Sequence, residues 1–255
     1  MVKIIGHRGA CNLWPENSLD GFRRTRDLGV DGVEFDVHVS RDDELVVIHD
    51  PTLDRTTEGW GPVTWRSAAE LADIRLREDS GQGIPMLDEV LDVFADTSLE
   101  LHIEIKSDAE GRPYPGLEQR LVDVIAKRDL GTRTILCCSY PAPLEKIREL
   151  LPSQKVLVSV NQKSAEALGG LAAALNRFNA TDGCLVAVEK GLLSAEMDLC
   201  LMKVGEAKFG VWAPNEAEDI AYWLAQPVRQ ITTGRPDIAL EIRQAADHFE
   251  RRPFR

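Results

Sequence analysis

Two carboxylates stand two residues apart in the run Val33-Glu34-Phe35-Asp36-Val37. In a strand, residues two apart share a face, so Glu34 and Asp36 project side by side and repel unless something neutralises them. A divalent cation does so most simply, and an all-oxygen donor set favours Mg²⁺ or Ca²⁺ over Zn²⁺. Taken alone, the pair reads equally well with one member facing solvent or capping a neighbouring helix. A second strand repeats the pattern, with His102, Glu104 and Lys106 alternating with Leu101, Ile103 and Ile105. An inward Glu and Lys near a strand end are costly to bury unless paired or metal-bound. His102, deeper by two residues, reads as a core or supporting histidine. His7 directly follows a first apolar run and His49 follows another at 45–48, so both sit at strand ends and add the kind of ionisable group that acid–base chemistry near neutral pH requires. Arg8, beside His7, offers a planar fork of donors to a phosphate or carboxylate. This set can bind a metal and an anion and can move protons. It points to metal-assisted phosphoryl chemistry and leaves decarboxylation or enolisation of an anionic substrate open. His38 would share the face of Glu34 and Asp36 and support them, and His248 reads as a surface or packing residue.

The elements that must position these groups alternate regularly. Short β-branched runs occur at residues 3–5, 33–37, 101–105, 134–136, 156–158, 184–186, 209–212 and 229–232. Between and after them lie segments of helical period at 18–28, 87–94, 117–127, 143–151, 165–178, 195–204, 216–225 and 236–248. Eight strand–helix units of about 32 residues each fit βα modules joined by right-handed crossovers. The expected architecture is therefore α/β, a (β/α)8 barrel. A doubly wound sheet competes, but Gly6-His7-Arg8-Gly9 is not its glycine-rich first turn. Residues 51–85, rich in glycine and proline around a helical piece, break the repeat and read as an insertion over the barrel mouth in a single domain spanning 1–255.

The chain has 255 residues and a formal net charge of −12, which argues against extended nucleic-acid binding. With 44% hydrophobic and 28% charged residues it has the composition of a globular protein, not of a disordered or collagen-like one. Its five cysteines include no C-x-x-C pair, and no apolar run approaches the roughly 20 residues of a membrane span, so the expected setting is reducing and cytoplasmic.

The order of the residues adds more. Gly6-His7-Arg8-Gly9, Pro15-Glu16-Asn17-Ser18, Glu34-Phe35-Asp36-Val37 through Ser40, Asp42 and Val46 to His49-Asp50-Pro51, then Leu53-Asp54-Arg55-Thr56-Thr57 and Gly59-x-Gly61-Pro62-Val63, closely resemble the glycerophosphodiester phosphodiesterase family. Ile84-Pro85, the strand Ile103-Glu104-Ile105-Lys106, Ser139, Trp212 and Thr233-x-Arg235-Pro236-Asp237 extend the resemblance to the C-terminus. It implies a distorted barrel with a small insertion after the His49 strand, and hydrolysis of a small glycerophosphodiester to glycerol 3-phosphate and an alcohol. By position, it makes Glu34, Asp36 and Glu104 ligands of one divalent cation, His7 and His49 the acid–base pair, and Arg8 and Lys106 phosphate contacts. Attack by the neighbouring glycerol hydroxyl would give a cyclic phosphate that water then opens, with either histidine as the base. The resemblance leaves the head group, native metal and oligomeric state open.

Two features depart from the family's pattern. Thr233-Gly234 replaces a common Thr-Asp pair, and Pro227-Val228-Arg229-Gln230 lacks the usual glycine and aspartate. The last loop is therefore expected to differ. Glu189 and Lys190 read as solvated loop charges. Two competing functions are phospholipase-D-like cleavage of a lysophospholipid, with Trp14, Trp60 and Trp65 lining an acyl groove, and non-catalytic binding of glycerophosphodiesters.

Overall fold

Alternation of apolar and polar side chains along a strand sends one set outward under the helices and the other into the middle of a closed sheet. The computed structural model, which describes residues 1–77 and 81–250, builds this arrangement from nine strands. They are β1 Lys3–Gly6, β2 Gly32–Val39, β3 Leu45–Val47, β4 Glu100–Ile105, β5 Thr134–Cys138, β6 Lys155–Val160, β7 Cys184–Glu189, β8 Phe209–Trp212 and β9 Gln230–Thr233. All but β3 pair in parallel in the order β1-β9-β8-β7-β6-β5-β4-β2, and β1 pairs again with β2 to close the ring. This is the expected (β/α)8 barrel.

Each barrel strand feeds a helix that packs against its outside. Val33, Phe35 and Val37 of β2 point outward and are fully buried with Phe22, Val90 and Phe94 of the flanking segments. Each such side chain contributes roughly 1.5–3 kcal/mol by leaving water. The alternate residues, Glu34 and Asp36, face the interior. On the far side of the ring the interior wall is apolar, formed by Ile135, Cys137, Leu157 and Ala187.

Two local details differ from the sequence reading. Residues 165–178 are not one helix but two, Gln162–Ala167 and Leu171–Asn179, because Gly169 and Gly170 take φ of +88° and +99°. The segment after β7 turns helical at once, as Lys190–Lys203, because the Glu189 carboxylate accepts the Leu192 N–H at 3.1 Å. Glu189 is thus a helix cap, and Lys190 pairs with Asp219 instead of standing free in a loop. The 45–48 run, read as a strand outside those eight, is β3, which lies antiparallel on β2 with Val47 opposite Val37.

β3 and the residues after it carry their own small core of Val46, Ile48, Leu53, Val63, Leu71, Leu76 and Ile84, with the helix Ala68–Asp73 held by a capping box between Ser67 and Glu70. Residues 78–80 of the expected insertion, and 251–255 of the expected domain, lie outside the described residues.

Candidate active site

The register of β2 against β4 sets Asp36 opposite Glu104, while Glu34 stands opposite His102. Glu34, Asp36 and Glu104 each bring one carboxylate oxygen within 4.8 Å of the others. Lys106 bridges two of them, its Nζ lying 3.0 Å from Asp36 Oδ1 and 3.1 Å from Glu104 Oε2. Asn17 Nδ2 donates to Asp36 Oδ2 at 2.9 Å, and the next residue, Ser18, caps the helix Leu19–Leu28 by accepting the Gly21 N–H at 3.0 Å. One short segment therefore orients a carboxylate and starts a helix. Glu34 Oε1 is buried and finds no hydrogen-bond partner among the described residues. An orphaned carboxylate oxygen amid two other acids is a poor structural element and a fitting ligand for a hard dication.

The first turn after β1 delivers the next two groups. His7 Nε2 lies 3.8 Å from Glu34 Oε2. Arg8 adopts the left-handed region, at φ +48°, a conformation that costs a non-glycine residue on the order of 1–3 kcal/mol. That geometry lets its backbone N–H donate to Glu34 Oε2 at 3.0 Å while its Nε lies 3.7 Å from Asp36 Oδ2 and its Nη1 donates to Glu16 Oε1 at 3.3 Å.

His49 arrives from the β3 ribbon, not from a barrel strand. The Ile48 N–H donates to the Asp36 carbonyl at 3.1 Å, and the buried His38 holds the turn, with Nε2 3.1 Å from the His49 carbonyl and Nδ1 2.8 Å from the Tyr114 hydroxyl. His49 Nδ1 lies 2.7 Å from Asp50 Oδ1. Arg55 then donates Nε to Asp50 at 2.7 Å and both terminal nitrogens to Glu16, at 2.8 and 2.7 Å, which links His49 through Asp50, Arg55 and Glu16 to Arg8. Sequence reasoning assigned no role to Glu16, Asn17, Asp50 or Arg55, although the adjacency of His49 and Asp50 was a usable signal.

The electrostatics of the cluster are uneven. Burial, with Asp36 and Glu104 adding to it, pushes the Glu34 carboxyl well above its ordinary range. Burial acts the same way on Asp36, but Lys106, His49 and Arg8 overcome it and hold that carboxyl well below its ordinary range. Burial lowers Lys106 less than Asp36 and Glu104 raise it, so its ammonium stays charged. Burial, then Arg8, brings His7 down to about 3, leaving a neutral imidazole. Positive charge held at the three carboxylates would counter the repulsion that raises Glu34.

Glu34, Glu104, Lys106, His7, Arg8 and His49 share one cavity of about 160 Å³ with His102, Trp212 and Thr232, while Asp36 is fully buried beside it. Trp60 and Trp65 do not line it: they pack edge to face at 6.0 Å and are 63% and 51% exposed. Trp14 borders a separate cavity of about 180 Å³ beside Glu16 and Arg55. The Gly234 N–H donates to Asn215 Oδ1 at 2.8 Å, its carbonyl accepts the Asn12 N–H at 3.2 Å, and a β-carbon there would stand 2.3 Å from Asn12 Oδ1. The Asn12 side chain thus occupies the space a residue-234 side chain would need.

Residues 7–238 match the model of the glycerophosphoryl diester phosphodiesterase family. A glycerophosphodiester phosphodiesterase from Caldanaerobacter subterraneus subsp. tengcongensis is 37% identical over 158 residues, which cover 60% of this chain and 64% of that protein. The match thus spans less than two thirds of that relative. A provisionally assigned glycerophosphoryl diester phosphodiesterase from Agrobacterium tumefaciens superposes with a TM-score of 0.88 at 26% identity, covering 97% of this chain and 99% of the other. A phosphodiesterase from Oleispira antarctica, solved with the product sn-glycerol-3-phosphate, superposes with a TM-score of 0.75 at 20% identity over 95% of this chain and 96% of its own.

Proposed function

The chain belongs to the glycerophosphoryl diester phosphodiesterase family, and from that premise we propose that it hydrolyses glycerophosphodiesters to glycerol 3-phosphate and an alcohol. The observation that carries this reading is the convergence on one cavity of Glu34, Glu104, Lys106, Arg8, His7 and His49, with the buried carboxylate of Asp36 within 4.8 Å of the other two. The product bound in the Oleispira antarctica protein supports it. Glu34, Asp36 and Glu104 would hold one divalent cation, Mg²⁺ or Ca²⁺, which supplies positive charge to a phosphate oxygen and lowers the pKa of a nearby hydroxyl.

The rest of the reaction is assigned to this chain's own groups. Arg8 and Lys106 bind the phosphate from the two sides of the carboxylate cluster. One of His7 and His49 takes the proton of the glycerol hydroxyl next to the phosphate, whose oxygen attacks phosphorus. The other gives a proton to the departing alcohol oxygen. The cyclic glycerol phosphate formed is then opened by water, with the two imidazoles exchanging roles. Intramolecular attack exploits a high effective molarity, so no protein nucleophile is required. Asp50 keeps Nδ1 of His49 protonated and Nε2 free to exchange a proton.

In this reading residues 1–255 form one phosphodiesterase domain, and 51–85 wall the mouth, Arg55 being their contribution to the charged chain behind His49. No described helix is long and apolar enough to cross a membrane, which accords with a cytoplasmic enzyme of glycerol and lipid metabolism. The test is release of glycerol 3-phosphate from glycerophosphocholine and glycerophosphoethanolamine by EDTA-treated protein, before and after Mg²⁺ or Ca²⁺. Release restored by metal and abolished in Glu34→Ala is expected; no release from either substrate under any metal overturns the proposal.

A further inference from the structure

The reaction cavity has a floor that no catalytic group requires. Gln230, the first residue of β9, is 1% exposed and lines the same cavity as Glu34 and His7. Thr232, two residues on and facing the same way, lines the cavity nearer the mouth. The register pairs Gln230 with Gly210 of β8, and a β-carbon at Gly210 would stand 2.5 Å from Gln230 Cγ. The long side chain thus lies across the bore in the space that the missing side chain of Gly210 leaves.

Its amide is fixed in orientation. Arg229 Nη1 donates to Gln230 Oε1. A guanidinium has only donors, so the oxygen must face it and the NH₂ the other way. Gln230 Nε2 is buried and finds no hydrogen-bond partner among the described residues. Beneath lies a charged plug, in which Glu100 accepts from Lys3 Nζ at 2.6 Å and from Arg229 Nη2 at 2.7 and 2.9 Å. Deeper entry is closed.

A phosphodiester seated at the carboxylate cluster has two arms, and only one can point down the closed bore. An alcohol of variable size must leave through the mouth, so the glycerol arm takes the closed end, against the apolar wall of Leu157 and Ala187. The cavity, about 160 Å³ in all, must seat the phosphate as well as this arm, which leaves room for a short arm only. We propose that Gln230 sets the depth of the reaction cavity and so restricts the buried arm of the substrate to a three-carbon polyol. This rests on the phosphodiesterase reading of the site.

The test separates the two. Binding of glycerol 3-phosphate and of the one-carbon-longer erythritol 4-phosphate is measured by calorimetry, with Mg²⁺ present, on the wild type, Gln230→Gly, Gln230→Ser and the near-isosteric Gln230→Leu. Glycerol 3-phosphate release from glycerophosphocholine is assayed on the same preparations. The wild type and Gln230→Leu are expected to favour the shorter ligand at least about tenfold, the discrimination available from one extra carbon in a closed pocket. Gln230→Gly and Gln230→Ser, of which either suffices if the other does not fold, are expected to bring the ratio close to one. A ratio unchanged in both shortened variants overturns the role of Gln230, whatever the hydrolysis. A ratio that shifts as expected in protein that releases no product supports the floor and overturns the hydrolytic reading. A wild type that binds neither ligand overturns both.

Discussion

His7 and His49 are held by different devices, and the difference predicts how each fails. Burial keeps His7 neutral, whereas His49 rests on a carboxylate that Arg55, through hydrogen bonds, holds down to about 2. Asp50 therefore stays ionised at any working pH and accepts from His49 Nδ1. Replacing either histidine removes a proton carrier, so His7→Ala and His49→Ala are each expected to lower kcat at least about 10²-fold. A variant with near-wild-type turnover would remove that residue from the mechanism. Asp50→Asn leaves both imidazoles in place but allows His49 the wrong tautomer and deprives an imidazolium of its counter-ion. On the precedent of other His–Asp pairs, kcat is expected to fall by about 10²–10⁴ while KM stays within roughly threefold. A KM effect as large as the kcat effect would show that Asp50 shapes binding and not proton transfer.

Among the elements, those defined by local periodicity were legible and those defined by remote partners were not. The eight barrel strands were read from β-branched runs, and inward pairs such as Glu34/Asp36 and Glu104/Lys106 followed from period-two alternation. That β3 runs antiparallel on β2 depends on pairing across a turn, and the break at Gly169-Gly170 was hidden by apolar residues that keep helical spacing on both sides. The fit of Gln230 over Gly210, or of Asn12 against Gly234, joins residues far apart in sequence and could not be read from either alone. The Pro15-Glu16-Asn17-Ser18 segment shows how much one element can carry, since Glu16 holds two arginines, Asn17 orients Asp36 and Ser18 caps a helix. Ser18→Ala removes only the cap. A loss of about 1 kcal/mol is expected, read as a fall in Tm of about 2–4 °C for a domain of this size. A much larger fall would mean that the cap also secures the Asn17 contact.

At the scale of the whole molecule, the problem is an acidic protein built to take an anion. The formal charge of −12 is offset at the mouth by Arg8 and Lys106, joined there by any cation the three carboxylates hold. At the opposite end of the barrel, cations and an anion are matched without any substrate, and this arrangement affects stability. Glu100 receives Lys3, Arg229 and His102. Burial would raise its carboxyl, but hydrogen bonds from His102, Lys3 and Arg229 hold it well below its ordinary value of 4.5. A group whose folded pKa is depressed stabilises the fold at pH above its unfolded value, and that contribution is lost as pH falls towards the folded one. Wild type is therefore expected to exceed Glu100→Gln in unfolding free energy by about 2 kcal/mol at neutral pH, the scale of hydrogen bonds to a charged group. The gap is expected to persist down to about pH 5 and to close progressively below that, as the unfolded chain binds a proton at Glu100 that the folded one refuses. Urea unfolding of both proteins between pH 3 and 7 reads this directly. A gap that stays constant on acidification would assign the floor's stability to packing around Lys3 and Arg229 instead of to the charge on Glu100.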